Sequence, residues 1–270
     1  MVLFPHAKIN LGLQVIEERD DGLHNIVSCL YPINWCDMLE LIEEKELRFT
    51  MSGLDIPGST NDNLCFKAYH LIKDQFDIPP IHIHLHKVVP IGAGLGGGSS
   101  DAAFTLLGLQ KMFDLPLSAT DLRQLASKLG SDCAFFIGDK PVMATGKGDE
   151  LEEIELSGTE EYLVVVTPPI QVNTGKAYSM LSPSLPTTNL KNDLFNNISQ
   201  WSQSITNDFE ATVFQQYPAI SRIKEVLLEQ GALFASLSGS GSSVFGIFKD
   251  KSSVRSWFDD DYLVWEQAFM

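Results

Sequence analysis

The stretch of the chain that points most clearly to a chemical function is the glycine-rich run PIGAGLGGGSSDAA, from residue 90 to residue 103, in which two serines and an aspartate follow the glycines. Five of the seven positions from 92 to 98 are glycine, so the backbone there can curl and approach a ligand closely. The residues that follow favour a helix, and the N–H groups at a helix N-terminus attract an anion. The pattern predicts a phosphate-binding loop formed by Pro90, Ile91, Gly92, Ala93, Gly94, Leu95, Gly96, Gly97, Gly98, Ser99 and Ser100.

Three known types of glycine-rich nucleotide loop compete for this pattern. A G-x-G-x-x-G spacing starts at residue 92, as in dinucleotide-binding loops. Such a loop needs an acidic residue about 20 positions later, at the end of the next strand, whereas Asp114 lies near the C-terminal end of one predicted helix and Asp121 in the first turn of another. Gly98 occupies the place of the lysine of a P-loop, and a protein-kinase loop would lead into a strand. A purely structural turn is disfavoured because every glycine costs conformational entropy on folding.

A lysine and an aspartate are candidates for proton chemistry. Lys8 precedes the alternating apolar residues of a predicted strand at 9–15, and it shares the other face of that strand with Asn10 and Gly12. That face could line a cleft, and a solvent-facing lysine is the alternative. Asp132 lies between a helix end and an apolar run, where it could accept a hydroxyl proton or simply cap a turn.

Two further groups have both a structural and a functional interpretation. The small residues at 238–243 lie between two predicted strands, so they form either a flexible hairpin or a close approach to a phosphate or to a facing domain. His82, His84 and His86 alternate with apolar residues and share one strand face. A metal site is possible there, but solvated side chains opposite a buried face are favoured.

Composition limits the class of protein. The chain has 270 residues and a net charge of −16, which disfavours a nucleic-acid partner and means that a phosphate site needs backbone dipoles, lysines and a divalent cation such as Mg²⁺. Its four cysteines form no C-x-x-C pair, so free thiols in a reducing compartment are expected. The first residues do not resemble a signal peptide, and no apolar run approaches the roughly 18 residues of a membrane span. We therefore expect a cytoplasmic protein that binds small molecules and neither nucleic acid nor membrane; its oligomeric state is left open.

The predicted elements alternate between strands and helices, which is typical of an α+β protein with two lobes. A boundary is expected near residues 150–160, which gives an N-terminal lobe at 1–155 that contains the phosphate-binding loop and a C-terminal lobe at 156–270. Strands are predicted at 9–15, 24–33, 38–42, 47–51, 81–89, 142–145, 151–156, 162–166, 233–237, 244–248 and 262–269. Helices are predicted at 61–76, 99–113, 120–129, 174–181, 207–216, 219–230 and 252–258, with a loop at 183–197.

Three motifs in this order resemble a superfamily of small-molecule kinases. They are residues 8–11, residues 90–103 and residues 238–245. The superfamily is named for galactokinase, homoserine kinase, mevalonate kinase and phosphomevalonate kinase (GHMP). The segments 5–12, 21–24, 92–100, 130–134 and 144–150 look most like the members that act on 4-diphosphocytidyl-2-C-methyl-D-erythritol.

The resemblance implies an activity and a fold. The implied reaction is ATP-dependent phosphorylation of the 2-hydroxyl of that substrate in the non-mevalonate route to isoprenoid precursors. The implied fold has an N-terminal lobe like a ribosomal-protein domain and a ferredoxin-like C-terminal lobe, with ATP on the glycine loop and the substrate in a cleft between them. Another GHMP kinase of homoserine or mevalonate type, or a non-catalytic nucleotide-binding protein of the same fold, is the alternative.

The resemblance also implies roles for individual residues. Lys8 and Asp132 match the catalytic positions, with Asp132 as the acceptor of the hydroxyl proton. Asn10, His24 and Tyr178 match positions that contact the cytidine part of the substrate. The hydroxyl of Ser99 or Ser100 would reach the Mg²⁺ that accompanies ATP. Leu23 departs from the family, which usually has a tyrosine there, so an aromatic contact to the base is lost.

Overall fold

A computed structural model describes residues 1–56, 58–156, 161–181, 183, 185, 188–251 and 254–269. The strands within these residues are β1 (Val2–Leu3), β2 (His6–Glu18), β3 (His24–Cys36), β4 (Met38–Glu43), β5 (Arg48–Gly53), β6 (Ile81–Lys87), β7 (Val142–Thr145), β8 (Glu150–Glu153), β9 (Tyr162–Thr167), β10 (Phe234–Leu237), β11 (Val244–Phe248) and β12 (Leu263–Ala268).

The helices complete the α+β fold that the sequence predicts. They are α1 (Leu64–Lys73), α2 (Gly97–Met112), α3 (Ala119–Ser127), α4 (Thr174–Ser179), α5 (Leu190–Asp193), α6 (Phe209–Gln216) and α7 (Pro218–Glu229). Short 3₁₀ helices lie at Thr60–Asp62, Ser131–Ile137, Ile198–Gln203 and Val254–Trp257. None of the helices in the described part of the chain combines the length and the apolar character that crossing a membrane requires.

The chain forms two compact units, and each draws on three segments. Unit 1 contains Met1–Lys8, Pro32–Ile91 and Gly96–Asp139, and unit 2 contains Ile9–Tyr31, Gly92–Leu95 and Lys140–Met270. The boundary predicted between residues 155 and 156 adjoins residues 157–160, which lie outside the described part of the chain, and it stays a prediction.

The sheet of unit 1 has the strand order β1-β4-β6-β5, with β4 antiparallel and β5 parallel to β6. The alternation along β6 sets its two faces: Ile81, Ile83 and Leu85 are fully buried, and the histidines between them are half-buried. Helices α1 and α2 pack on each other, and α2 packs on β4. The sheet therefore has one apolar face for the core of this unit.

The three histidines of β6 form a hydrogen-bonded ladder with two hydroxyls of β5. Thr50 Oγ1 lies 2.7 Å from His82 Nε2 and 2.8 Å from His84 Nδ1. Ser52 Oγ lies 3.1 Å from His84 Nε2 and 2.9 Å from His86 Nδ1. The imidazoles are thus engaged with neighbouring side chains, and they are not simply solvated as the sequence suggests.

Unit 2 contains the sheet β10-β11-β9-β12, which is antiparallel throughout. A further sheet has the order β2-β3-β7-β8, and of its first two strands residues 9–18 and 24–31 belong to unit 2. Apolar residues from β9 and β11, such as Val164, Val166 and Val244, pack in one core with Ile223 and Leu227 of α7. The amphipathic α7 begins with Pro218 at its first turn, where a missing N–H costs nothing.

Several predicted boundaries were wrong for local reasons. The cap of α1 is Asn63, whose side chain accepts from Cys65 N, because residues 60–62 first form a separate 3₁₀ turn. Helix α2 begins at Gly97, two residues before the predicted start.

Other predicted segments have a different secondary structure. The predicted loop at 183–197 contains α5, which Asn189 caps. The apolar run after Asp132 and the predicted helix at 252–258 contain 3₁₀ helices, and residues 252 and 253 lie outside the described residues.

A buried cluster of charges joins β6 to the start of α2 in unit 1. The ammonium of Lys87 contacts the carboxylates of Asp37 and Asp101, and all three residues are almost completely buried. Asp37 also accepts hydrogen bonds from Val88 N and Val89 N, at 2.6 and 2.8 Å. The cluster therefore fixes the backbone on which the glycine loop begins.

Burial sets the proton affinities in this cluster. The pKa of Asp101 is raised to about 7, chiefly by burial. The ammonium of Lys87 opposes this increase, and the nearby carboxylate of Asp37 adds to it. Burial opposes the charge of Lys87, but Asp101 and Asp37 together raise its pKa above the ordinary value. One oxygen of Asp101, Oδ1, is buried without a hydrogen-bond partner, which is consistent with a carboxyl that ionises reluctantly.

Replacing Asp101 with asparagine should change how stability depends on pH. Because the pKa of Asp101 is higher in the folded chain than in the unfolded chain, its favourable contribution to the free energy of unfolding is present at low pH and is lost as pH rises through about 7. Urea unfolding measures the free energy of unfolding at about pH 5 and about pH 8. The value for Asp101→Asn relative to the wild type should be higher at pH 8 than at pH 5 by roughly 1–3 kcal/mol.

The matched control is Asp121→Asn. Hydrogen bonds from the Ser118 hydroxyl and Ser118 N–H lower the pKa of Asp121, so this carboxylate is ionised in both the folded and the unfolded chain above about pH 5, and the difference between Asp121→Asn and the wild type should be the same at both pH values. A difference for Asp101→Asn that is flat, or that falls with pH, would contradict the assigned proton affinity.

Candidate active site

Lys8 and Asp132 lie together in unit 1. Lys8 Nζ is 3.5 Å from Asp132 Oδ2, which is a salt bridge. The lysine comes from the start of β2 and the aspartate from the first turn of the 3₁₀ helix Ser131–Ile137. Their side chains are 4% and 36% exposed, so the ammonium is enclosed and the carboxylate remains open to solvent. The structure thus brings together the two residues that the sequence nominates for proton chemistry.

The surroundings of Lys8 differ from the open polar face expected from the sequence. Residues 7–15 are buried on both faces of β2, which removes the solvent-facing alternative for this lysine. Gly96 has a φ of +69°, and a Cβ there would lie 2.8 Å from the Phe136 ring and 3.2 Å from Lys8 Cε. A glycine is required at position 96 for both its conformation and its space.

The N-terminal turn of α2 begins directly after Gly96. Ser100 Oγ in that turn is buried and has no hydrogen-bond partner. Ser99 hydrogen bonds to the thiol of Cys133, whose pKa burial raises to about 11. The first N–H groups of a helix lack partners within it, so this turn offers backbone donors and hydroxyl oxygens to an anion.

The other part of the glycine loop, Gly92–Leu95, belongs to unit 2 and rests on the second small-residue loop, residues 238–243. Ser238 Oγ donates to Gly94 O at 2.9 Å, and Ser243 N donates to Ala93 O at 3.0 Å. A Cβ at Gly94 would overlap the Ser238 carbonyl. Residues 238–243 therefore lie against the backbone of Gly92–Leu95, and their approach to a phosphate or to a facing domain stays a prediction.

Asn10, one of the residues nominated for substrate binding, lies in unit 2, where its side-chain nitrogen is hydrogen bonded. Asn10 Nδ2 donates to Ser28 Oγ at 2.8 Å, and that hydroxyl donates to Gly12 O at 2.7 Å. Asn10 is 2% exposed, so its amide orientation is set by β2 and β3. Its Oδ1 oxygen lies near Gly239, 3.4 Å from the position that a Cβ there would take.

His24 and Tyr178 lie together in the same unit. Their rings are stacked, with centroids 4.8 Å apart and planes inclined by 29°. Tyr178 also meets the edge of Phe209 on its other side, which fixes its orientation. Leu23 is 47% exposed beside this pair. The structure brings these two rings together, and their role toward cytidine stays a prediction.

Sequence reasoning missed the residues that support the loops. Lys87 carried a signal, because it ends an alternating strand directly before the glycine-rich run, but its carboxylate partners are 50 and 14 residues away. No pattern in the sequence singled out Asn207. Its side-chain amide donates to Leu237 O and Gly239 O, both at 2.8 Å, and so holds the second loop.

Alanine at Gly94 should destabilise unit 2 more than alanine at Gly92. Both glycines have positive φ, but space for a Cβ is open at Gly92 and blocked by backbone at Gly94. Gly92→Ala should cost about 1–2 kcal/mol from conformation alone, and Gly94→Ala at least about 2 kcal/mol more from the overlap. Chemical unfolding of both variants measures this difference, and equal losses would contradict the close approach.

Comparison with known proteins identifies the family. The family model described as "GHMP kinases N terminal domain" matches residues 63–140, and "GHMP kinases C terminal" matches residues 188–257. Together they cover more than half of the chain. The predicted superfamily is therefore confirmed.

The relatives define the family further. The chain is 49% identical to the 4-diphosphocytidyl-2-C-methyl-D-erythritol kinase of Cytophaga hutchinsonii over 93% of each chain, and 45% identical to that of Parabacteroides distasonis over 98% of each. A crystal structure of 4-(cytidine 5'-diphospho)-2C-methyl-D-erythritol kinase matches with a TM-score of 0.80 and 27% identity over 98% of each chain. A homoserine kinase structure from Cytophaga hutchinsonii, at 18% identity and a TM-score of 0.69, shares the fold alone. The chain therefore belongs to the 4-diphosphocytidyl-2-C-methyl-D-erythritol kinase family of the GHMP kinases.

Proposed function

We propose that this chain transfers the γ-phosphoryl group of ATP to the 2-hydroxyl of 4-diphosphocytidyl-2-C-methyl-D-erythritol, in the non-mevalonate route to isoprenoid precursors. The relatives at 37–49% identity that carry this enzyme name support the substrate. The observation that carries the chemistry is the salt bridge between Lys8 and Asp132 at 3.5 Å. It supplies a base and a cation at one place.

Asp132 is the residue that accepts the hydroxyl proton. Its carboxylate is exposed enough to meet an incoming hydroxyl, while the ammonium of the enclosed Lys8 lies 3.5 Å away and orients it. The ammonium also attracts the oxygen that becomes negatively charged as the proton leaves. Positioning and charge stabilisation account for most of the catalysis in phosphoryl transfer, so a fixed pair of this kind suits the reaction.

ATP is proposed to bind along the glycine loop, residues 90–100. The backbone donors of the first turn of α2 face a polyphosphate favourably, and the unpartnered hydroxyl of Ser100 is an available oxygen ligand. Mg²⁺ fits this donor set, since it prefers oxygen ligands and is commonly held by few protein groups together with substrate phosphates. When bound, the ion neutralises charge on the transferred phosphate, and Ser99 or Ser100 would hold it.

The cytidine part of the second substrate is assigned to Asn10, His24 and Tyr178. The His24–Tyr178 stack offers an aromatic face, and the fixed amide of Asn10 offers a polar group that tells one base edge from another. Leu23 leaves an apolar contact where the family has a ring. Its exposed side chain covers a base without the added attraction of stacking.

The remaining assignments follow from composition and remain proposals. The partners are the two small-molecule substrates, and a net charge of −16 disfavours nucleic acid. Cys29, Cys36, Cys65 and Cys133 are free thiols, which suits a reducing cytoplasm. Residues 1–155 are assigned to the ATP-binding domain and residues 156–270 to the substrate-side domain.

An ATP-consumption assay with different acceptors tests the activity. With Mg²⁺ present, turnover should require 4-diphosphocytidyl-2-C-methyl-D-erythritol, and phosphorus NMR of the product should show a new phosphomonoester on the erythritol carbon that bears the 2-hydroxyl. Homoserine and mevalonate serve as alternative acceptors. Turnover with either one and none with the cytidine substrate would point to another GHMP kinase, and ATP binding without turnover would point to a non-catalytic protein.

Asp132→Asn should reduce kcat by about 10²–10⁴-fold. Asparagine has the same shape but cannot accept the proton, so the KM for ATP should change little. Steady-state kinetics measure both constants. Asp139→Asn, on an exposed carboxylate of the same unit, is the matched control and should retain the wild-type kcat. Wild-type turnover in Asp132→Asn would remove this residue as the base.

A further inference from the structure

The segment Asn207–Glu210 connects the second small-residue loop, residues 238–243, to strand β2 within unit 2. Asn207 is 3% exposed and uses its whole side chain: both hydrogens of Nδ2 reach carbonyls, Leu237 O and Gly239 O, and Oδ1 accepts from Phe209 N at 3.0 Å. Glu210 Oε1 accepts from Ser236 Oγ and Leu237 N, each at 3.0 Å. Two side chains therefore hold the entrance of the loop and its first glycine.

The same segment is tied to β2 from its other side. Asp208 Oδ2 accepts from Val15 N at 2.7 Å, and Asp208 N donates to Leu13 O at 2.9 Å. Leu13 N in turn donates to Thr206 O at 2.9 Å. This strand also carries Asn10, whose Oδ1 lies 3.4 Å from the position that a Cβ at Gly239 would take.

The held loop is the one on which Gly92–Leu95 rests. Ser238 Oγ bonds Gly94 O and Ser243 N bonds Ala93 O, so a shift at Gly239 moves the support of both carbonyls. The side-chain hydrogen bonds of Asn207 go to Leu237, Gly239 and Phe209, so we infer that it acts on residues 92–95 through the loop that contains Ser238. Its effect on the phosphate loop is therefore transmitted along two hydrogen-bonded steps.

We propose that Asn207 is a positioning residue for the ATP site: its two donated hydrogen bonds set the 238–243 loop, and that loop sets the backbone of Gly92–Leu95. The inference rests on the proposed function for the identity of the nucleotide. A donor is essential at this position because two carbonyl oxygens converge on one nitrogen. An acceptor atom in the place of that nitrogen would be repelled by both carbonyl oxygens.

Asn207→Asp is the test, since it keeps the shape and replaces the donor with a carboxylate. We expect a rise of roughly tenfold or more in the KM and in the calorimetric Kd for MgATP, since two buried hydrogen bonds are lost. A smaller change is expected in the KM for the acceptor. Asn207→Leu separates lost donors from added charge and should also weaken ATP binding.

The matched control is Asn197→Asp in the same unit. Asn197 Oδ1 only accepts, from Ser199 N and Ser199 Oγ, so an aspartate keeps both bonds while adding the same charge. This control should retain wild-type kinetics and ATP affinity. If it weakens ATP binding as much as Asn207→Asp does, general charge repulsion explains the effect and the inference fails.

A double-mutant cycle with Ser238→Ala shows whether the effect passes through the loop. If Asn207 acts through Ser238, the losses in ATP affinity of Asn207→Leu and Ser238→Ala should be clearly less than additive. Additive losses, or a lower stability with unchanged ATP affinity, would reduce Asn207 to a structural residue. The calorimetric Kd needs no turnover, so a failed acceptor assay would refute the proposed function and leave this test intact.

Discussion

An acidic chain can hold a polyphosphate only where fixed backbone dipoles outweigh the repulsion of its own carboxylates. With a net charge of −16, the chain would meet that constraint locally at the proposed ATP site, through a run of glycine backbone and the start of α2. Backbone donors are effective only when they are held in place. The packing around the glycine loop holds its backbone in place. Glycine occurs where two backbone segments are in contact, as at Gly94, which lies against the carbonyl of Ser238.

The buried charges of unit 1 follow the same logic. Lys87 lies beneath Gly97, where a Cβ would be 2.9 Å from Nζ, and it is already neutralised by two aspartates. It is thus committed to structure, and its burial would be costly without those partners. Lys8 is also buried, but its partner Asp132 remains partly exposed. The two lysines show how burial of the partner separates a supporting ion pair from one that is open to a substrate.

Periodicity predicted most of the strands and helices, since alternation and capping are local properties of the sequence. Strand β11 agrees with the prediction at both ends, and α3, predicted to begin at residue 120, begins at Ala119 after the cap Ser118, with Asp121 completing a capping box. The helix predicted to begin at residue 61 begins instead at Leu64, after the cap Asn63, because residues 60–62 form a separate 3₁₀ turn. The proximity of Lys8 to Asp132 came from family resemblance, because 124 residues separate them in the sequence. Asn207 was out of reach, since its partners are 30 and 32 residues away and asparagine also suits a surface turn.

The histidine ladder on β5 and β6 carries a directional property. Each hydroxyl has one proton and sits between two ring nitrogens, so it donates to one imidazole and accepts from the next. With neutral rings, the tautomer of His82 then fixes that of His84, and His84 fixes that of His86 through Ser52. The five side chains therefore share two collective arrangements of opposite polarity, and a proton added to the central ring reverses the polarity of one half only.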